Sequence, residues 1–204
     1  GAGQMGSGIA QVMAQGGLAV TLRDIKEEFV KKGIAGIEKN LAKAVEKGKM
    51  EADEKTAIMS RIQGVVELDA AACDVDLVVE AAIENMDIKR SIFQQLDQFC
   101  PAHTILATNT SSLPVTAIGA LTKRAEKVVG MHFFKPAPVM KLVEIINGLA
   151  TSVETFDAVK GLAERMGKSP VKVSDFPGFV GNRIMIPMIN EAIFTLMEGV
   201  ASAE

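Results

Sequence analysis

The sequence predicts an α/β fold whose sheet is mostly parallel and covered by helices on both sides. Three observations carry that reading. Short apolar runs alternate with longer stretches of helical periodicity. The runs are apolar at successive positions, as strands buried on both faces are. A glycine-rich turn opens directly into the first helical stretch.

The elements follow in order. Ser7 to Gln15 reads as a helix and Leu18 to Leu22 as a short buried strand. From Glu27 to Gly48 the apolar positions Phe29, Ile34, Ile37, Leu41 and Val45 recur at spacings of three to five, the mark of a long amphipathic helix. Another helix is expected from Ala52 to Ile62, so a helical insertion occupies residues 26–62. Val65 and Val66 suggest a strand, and Val75 to Glu80 a stronger one. Met86 to Phe99 reads as a helix and Thr104 to Thr108 as a strand. Lys127 to Phe133 and Met140 to Ile146 are two further apolar runs, followed by a helix from Val153 to Met166 and a strand from Val171 to Ser174.

Pro177-Gly178 then interrupts the chain, and the stretch from Phe179 to Gly199 is helical with apolar residues nearly all round. The sequence therefore divides into a first domain, residues 1–176, and the start of an all-helical C-terminal domain, residues 177–204. Gly1 stands in the middle of a motif and Glu204 directly follows an apolar-periodic stretch, so the sequence reads as a fragment cut at both ends.

Composition excludes several classes of function. Of 204 residues, 48% are apolar and 23% charged, and 22 basic against 25 acidic side chains give a net charge of −3. That balance offers no electrostatic footprint for nucleic acid or an anionic membrane. No run approaches the ~20 apolar residues of a membrane-spanning helix. With 4% aromatics, no Trp and no Tyr, there is no base-stacking surface. Cys73 and Cys100 form no metal-spaced cluster; they read as buried free thiols of a reducing compartment, and no metal site is expected.

Two groups of residues carry chemistry. The first is Gly1-Ala-Gly-Gln-Met-Gly6, which fits a dinucleotide fingerprint. Gly1 allows a tight turn, Gly3 lets backbone approach a pyrophosphate, and Gly6 permits close helix–strand packing, with the anion on the helix N-terminus. Asp24, 18 residues after Gly6 and at the end of the next strand, can bind both ribose hydroxyls. Its charge repels a 2′-phosphate and so favours NAD over NADP, although the neighbouring Arg23 works against that exclusion. The fold implied is a Rossmann-type doubly wound sheet whose first strand is missing.

The second group is Asn109-Thr-Ser111-Ser112 after one strand, His132 at the end of another, Glu144 twelve residues on, and Asn182 near the start of the last helix. Ligands of open parallel sheets gather at the carboxyl ends of the strands, where Ser111 and His132 emerge. A Ser/His pair also suits a hydrolase, but no G-x-S-x-G elbow surrounds Ser111. A dinucleotide fold with His132 as acid/base is the better reading. The residues alone also allow a histidine packed beside Phe133 and Phe134, turn or cap roles for Ser111 and Asn182, and a solvated strand end at Glu144.

GAGQMGSGIAQ, DLVVEAAIEN, NTSSL, GMHFFKPAPVMKLVEII and PGFVGNRI, in that order and over the whole chain, resemble the 3-hydroxyacyl-CoA dehydrogenase family. The resemblance implies NAD-dependent oxidation of short-chain (S)-3-hydroxyacyl-CoA, or reduction of acetoacetyl-CoA in reverse. It casts His132 as the base, Glu144 as its orienting carboxylate, Ser111 as a hydrogen-bond partner of the reacting oxygen, and Asn182 as a ligand of the substrate carbonyl. It places Gly1, Gly3, Gln4, Met5, Gly6, Asp24, Ala81, Glu84, Lys89, Ser111 and Lys135 about the cofactor. Asn40 and Lys47 fall where the family contacts coenzyme A. A homodimer formed through the C-terminal domain, a bacterial cytoplasmic setting, and fatty acid and butyrate metabolism are also implied. One departure stands out: the family's H-F-F-N-P reads His132-Phe-Phe-Lys135-Pro136, a cation in place of an amide. A dehydrogenase of a free hydroxy acid or sugar acid, and a non-catalytic dinucleotide-binding protein, are the competing readings.

Overall fold

The computed structural model describes residues 1–203. The glycine turn leads into α1 (Gln4–Gln15), β1 (Val20–Arg23), α2 (Glu27–Glu46), α3 (Ala52–Met59) and β2 (Ile62–Val65). There follow α4 (Leu68–Ala72), β3 (Leu77–Glu80), α5 (Met86–Phe99), β4 (Ile105–Thr108), α6 (Val115–Gly119) and β5 (Val128–Phe133). β6 (Leu142–Asn147), α7 (Val153–Arg165), β7 (Ser169–Ser174) and α8 (Gly181–Met197) complete the chain.

β1 and β2 pair in parallel as one sheet, and a second sheet has the order β3-β4-β5-β6-β7. Within the second, only β5 and β6 run antiparallel. The expectation of a mostly parallel sheet thus holds with one exception, and that exception builds the site described below. A cleft of 1570 Å³, lined among others by Val20 and Leu22 of β1 and Leu77 and Val79 of β3, separates the two sheets. In the doubly wound order 3-2-1-4-5-6, β2 and β1 take places 3 and 2, and β3, β4 and β5 take places 4, 5 and 6.

Helices cover both faces. Ile9, Met131, Phe133, Val143, Ile145, Phe156 and Val159 form one core layer, and Phe93, Leu96, Leu106, Val115, Ile118, Val128 and Ile146 another. β5 lies at the centre and is buried at every position, as its apolar run demanded. β7 is largely exposed, because it is the edge of its sheet. α5 begins on Asn85, whose side chain accepts the N–H groups of Asp87 and Ile88, and α7 on Ser152, which accepts that of Thr155; such caps contribute about 1 kcal/mol each.

Several expectations need correction. The helix read from Ala52 to Ile62 stops at Met59, and Ile62 belongs to β2, since an isoleucine suits either continuation of the pattern. The five-residue helices α4 and α6 are too short to show periodicity and were not anticipated. Cys100 is buried, but Cys73 is exposed, one residue beyond α4. None of the residues of α8 is buried, and Ile184, Met188, Ile193 and Met197 lie open. Among the described residues no helix is long and apolar enough to cross a membrane, and no cluster of residues could hold a metal ion.

Candidate active site

The glycine turn lines the cleft through Gly1, Gly3 and Gly6. A Cβ on Gly1 would stand 2.4 Å from the Ala81 carbonyl oxygen, and one on Gly6 1.8 Å from the Gly1 carbonyl oxygen, so both positions exclude any side chain. A Cβ on Gly3 would meet nothing within 4 Å: its backbone faces open space. Gly3 caps α1 without a side-chain hydrogen bond, and the first turn, with Gln4 exposed and Met5 half-buried, carries no acidic residue. A bare, positively polarised helix terminus behind an open glycine fits a dinucleotide pyrophosphate.

Asp24, just past β1, is fixed by two backbone N–H groups: Ala2 donates to Oδ2 at 2.6 Å and Ile25 to Oδ1 at 2.7 Å. Arg23 donates through Nε to the Val66 carbonyl at 2.7 Å. That bond holds the guanidinium towards the end of β2, which weakens its counter-argument to NAD. Ala81 lines the same cleft.

The second group forms because β5 and β6 run antiparallel. Their register sets His132 opposite Glu144, and His132 Nδ1 lies 2.8 Å from Glu144 Oε2. Both are buried, His132 at 6% exposure and Glu144 at 2%, so Glu144 is not a solvated strand end. A proton on Nδ1 donates to the carboxylate and leaves Nε2 as an acceptor for a substrate proton. The ring packs against Phe134 and Phe179, with centroids at 4.7 and 5.9 Å. The other oxygen of Glu144 accepts the N–H groups of Val180 and Gly181 at 3.0 and 2.8 Å, where α8 begins.

The remaining members are tied to that pair. Asn109, past the end of β4, accepts the Phe133 N–H at 2.9 Å and so joins the two strand ends. Asn182, in the first turn of α8, donates to the Ser111 carbonyl at 3.2 Å. Asp175 accepts the N–H groups of Val115 and Thr116, anchoring the start of α6 to the segment before α8. Phe179 has φ 50°, an unusual conformation for a residue other than glycine, of order 1–3 kcal/mol in strain. It is held there by burial at 3% exposure against the histidine. His132, Glu144, Asn182 and Ser111 are therefore one connected group.

The other expected residues fall elsewhere. Lys89 is not open to the cleft: it is 1% exposed, and its ammonium lies 2.8 Å from both oxygens of Glu80. Glu84 is partly exposed, 3.3 Å from Lys89, and accepts hydrogen bonds from the Thr110–Ser112 turn. Burial works to raise its carboxyl, but hydrogen bonds from Thr110, Ser111 and Ser112 and the charge of Lys89 prevail and hold it below the usual carboxylate value. Lys135 is exposed and has no ion-pair partner among the described residues. Asn40 lies exposed on α2, with Nδ2 3.4 Å from Gln11, and Lys47 is exposed at its C-cap.

Sequence reasoning included Asn109 in the second group but missed Glu80, Thr108, Asp175 and Phe179 as parts of the site's framework. No local signal marked Glu80, because a glutamate closing a strand reads as solvated.

The model of the 3-hydroxyacyl-CoA dehydrogenase NAD-binding domain matches residues 1–176. The chain is 53% identical over 204 residues to the "Probable 3-hydroxybutyryl-CoA dehydrogenase" of Bacillus subtilis, covering all of this chain and 71% of that protein. It is 42% identical to the mitochondrial hydroxyacyl-coenzyme A dehydrogenase of Homo sapiens, covering 67% of that protein. Among solved structures it is similar to (S)-3-hydroxybutyryl-CoA dehydrogenase of Ralstonia eutropha, with a TM-score of 0.96 and 46% identity over 100% of this chain and 71% of the other. The glycine cradle, the aspartate beyond β1 and these matches agree, and the chain belongs to the 3-hydroxyacyl-CoA dehydrogenase family.

Proposed function

We propose that this chain binds NAD and oxidises short-chain (S)-3-hydroxyacyl-CoA esters to 3-oxoacyl-CoA, with acetoacetyl-CoA as the substrate of the reverse reduction. The observation that carries the reading is the buried His132–Glu144 pair, joined through the start of α8 to Asn182 and Ser111. NAD, when bound by the Gly1–Gly6 turn and Asp24, supplies the hydride acceptor. His132 takes the hydroxyl proton at Nε2 as the C–H bond at C3 breaks, and returns it in the reduction. Glu144 orients the imidazole and stabilises its protonated form. The Ser111 hydroxyl holds the reacting oxygen, and the Asn182 amide holds the thioester carbonyl. Asn40 and Lys47 on α2 receive the coenzyme A moiety. The fold supplies the alignment: His132, Glu144 and Asn182 are held by hydrogen bonds, and the Ser111 backbone by two, before substrate arrives.

A cytoplasmic setting and a homodimer belong to the same proposal. The bacterial relatives support the first. The open apolar side chains of α8 support association with a second copy.

The test is turnover of acetoacetyl-CoA with NADH, followed as loss of NADH absorbance, beside the same assay with free acetoacetate and with NADPH. Turnover restricted to the thioester and NADH supports the reading. Equal turnover of the free acid overturns the substrate class, and preference for NADPH overturns the role of Asp24.

A further inference from the structure

The ends of β3 and β4 lie side by side just before the turn that holds Ser111, and a charged pair is buried against them. Glu80 closes β3 and Lys89 lies on α5; their side chains are 2% and 1% exposed. Glu80 also accepts the Thr108 hydroxyl at 2.7 Å and the Ala82 N–H at 2.6 Å. Lys89 thus has a fixed position, and its ammonium reaches one further carboxylate, Glu84 Oε2 at 3.3 Å. The second oxygen of Glu84 points the other way, into the turn after β4. It accepts the Thr110 hydroxyl, the N–H groups of Ser111 at 3.0 Å and Ser112 at 3.2 Å, and the Ser112 hydroxyl at 3.1 Å. Thr110 in turn accepts the Leu113 N–H at 2.9 Å. One carboxylate oxygen therefore gathers four donors from three consecutive residues, and Ser111 is the middle one.

We propose that Glu84 is a positioning residue for the reaction, its carboxylate braced by the buried Lys89–Glu80 pair and setting the turn that aims the Ser111 hydroxyl. The inference rests on the proposed role of Ser111. Four donors converge on an acceptor that a neutral amide cannot replace: Gln offers one oxygen to the turn, but its NH₂ then faces the Lys89 ammonium, donor against donor. Lys89 keeps both oxygens of Glu80, so the buried pair outlasts the change. The turn loosens while the core stays intact, and a misplacement of ~1 Å at a reacting group lowers the rate by ~10²-fold.

The test uses the complete enzyme with Glu84→Gln, Glu84→Asp, Ser111→Ala and the double variant Glu84→Gln/Ser111→Ala. The readouts are kcat and KM for acetoacetyl-CoA and the dissociation constant of NADH. The expected result for Glu84→Gln is a ~10–100-fold lower kcat, with the NADH dissociation constant changed less than ~3-fold and partial recovery in Glu84→Asp. In the double variant kcat is expected to fall little below that of Ser111→Ala, because the two residues act as one unit. Full additivity with an impaired Ser111→Ala overturns the inference about Glu84 and leaves the function standing. So does weakening of NADH binding in proportion to kcat, which marks Glu84 as a direct cofactor contact. An unaltered kcat in Ser111→Ala overturns the role of Ser111 and the inference together.

Discussion

His132 and Glu144 face each other across the antiparallel pair β5–β6, with Nδ1 and Oε2 2.8 Å apart. The other oxygen of the same carboxylate accepts two backbone N–H groups at the start of α8. Glu144 therefore serves two partners, and its removal has two separable effects. Glu144→Ala leaves a buried imidazole N–H and two backbone donors unpaired. At ~1–3 kcal/mol for each orphaned group, partly relieved by water, the expected destabilisation is about 2–4 kcal/mol. Urea denaturation of the complete enzyme measures it.

His132→Gln separates chemistry from structure at the same pair. The amide of glutamine can still donate towards Glu144, so the fold is retained while the acid/base is lost. The expected fall in kcat is ~10²–10⁴-fold, the usual worth of general acid–base catalysis, with NADH affinity nearly unchanged. Retention of more than half of kcat would restore the reading of His132 as a packed core histidine.

What could be read from the sequence follows the range of the interactions. The glycine cradle was legible because its spacing is local: a Cβ on Gly6 would strike the Gly1 carbonyl five residues back, although Gly1 itself is crowded by the distant Ala81 carbonyl. Asp24 was legible because its distance from the turn is set by one helix and one strand. The contact of His132 with Glu144 depends on an antiparallel register between two runs that look alike in sequence, and the residues alone left both roles open. Glu80 and Lys89 were opaque for a different reason. A carboxylate at a strand end and a lysine on an amphipathic helix both read as solvated, and only their mutual neutralisation allows burial. α4 and α6 left no periodic signal because five residues complete little more than one turn.

Breaking the Lys89–Glu80 pair tests that burial. Lys89→Met fills a similar volume but leaves the Glu80 carboxylate charged and enclosed, with only the Thr108 hydroxyl and the Ala82 N–H as partners. Removal of one member of a buried pair lowers stability by ~3–5 kcal/mol. The double variant Lys89→Met/Glu80→Gln is expected to recover a large part of that loss, since no uncompensated charge remains. Denaturation midpoints of the three proteins decide the matter; equal destabilisation in the single and double variants contradicts it.

Glu84 gives a pH dependence of definite sign. Its folded carboxyl titrates below the ordinary 4.5. The unfolded chain therefore takes up the proton first as pH falls, and the stability that Glu84 contributes is complete above the ordinary value and lost on descending through the lowered one. The stability difference between the parent enzyme and Glu84→Gln is expected to be constant from neutrality down to pH ~5 and to shrink at lower pH. Partial exposure keeps the effect small, so paired denaturation curves at several pH values are the suitable measurement. A difference that grows on acidification contradicts the assignment.

Lys135 stands three residues from His132, where the family resemblance places an amide near the nicotinamide. The nicotinamide ring is positive when oxidised and neutral when reduced, so a nearby ammonium discriminates between the two forms. Its strength depends on where the ammonium sits. At ~6 Å and an effective dielectric constant of ~20, two unit charges repel by ~3 kcal/mol; at ~10 Å in water the figure is ~0.4 kcal/mol. Lys135 is exposed and has no ion-pair partner among the described residues, which selects the weaker case. Lys135→Asn is thus expected to tighten NAD⁺ relative to NADH by ~2–5-fold, read from the dissociation constants of both forms in the complete enzyme. The gain should diminish as ionic strength rises. An unchanged ratio means that the charge does not reach the ring, and a hundredfold change means that the ammonium turns inward against it.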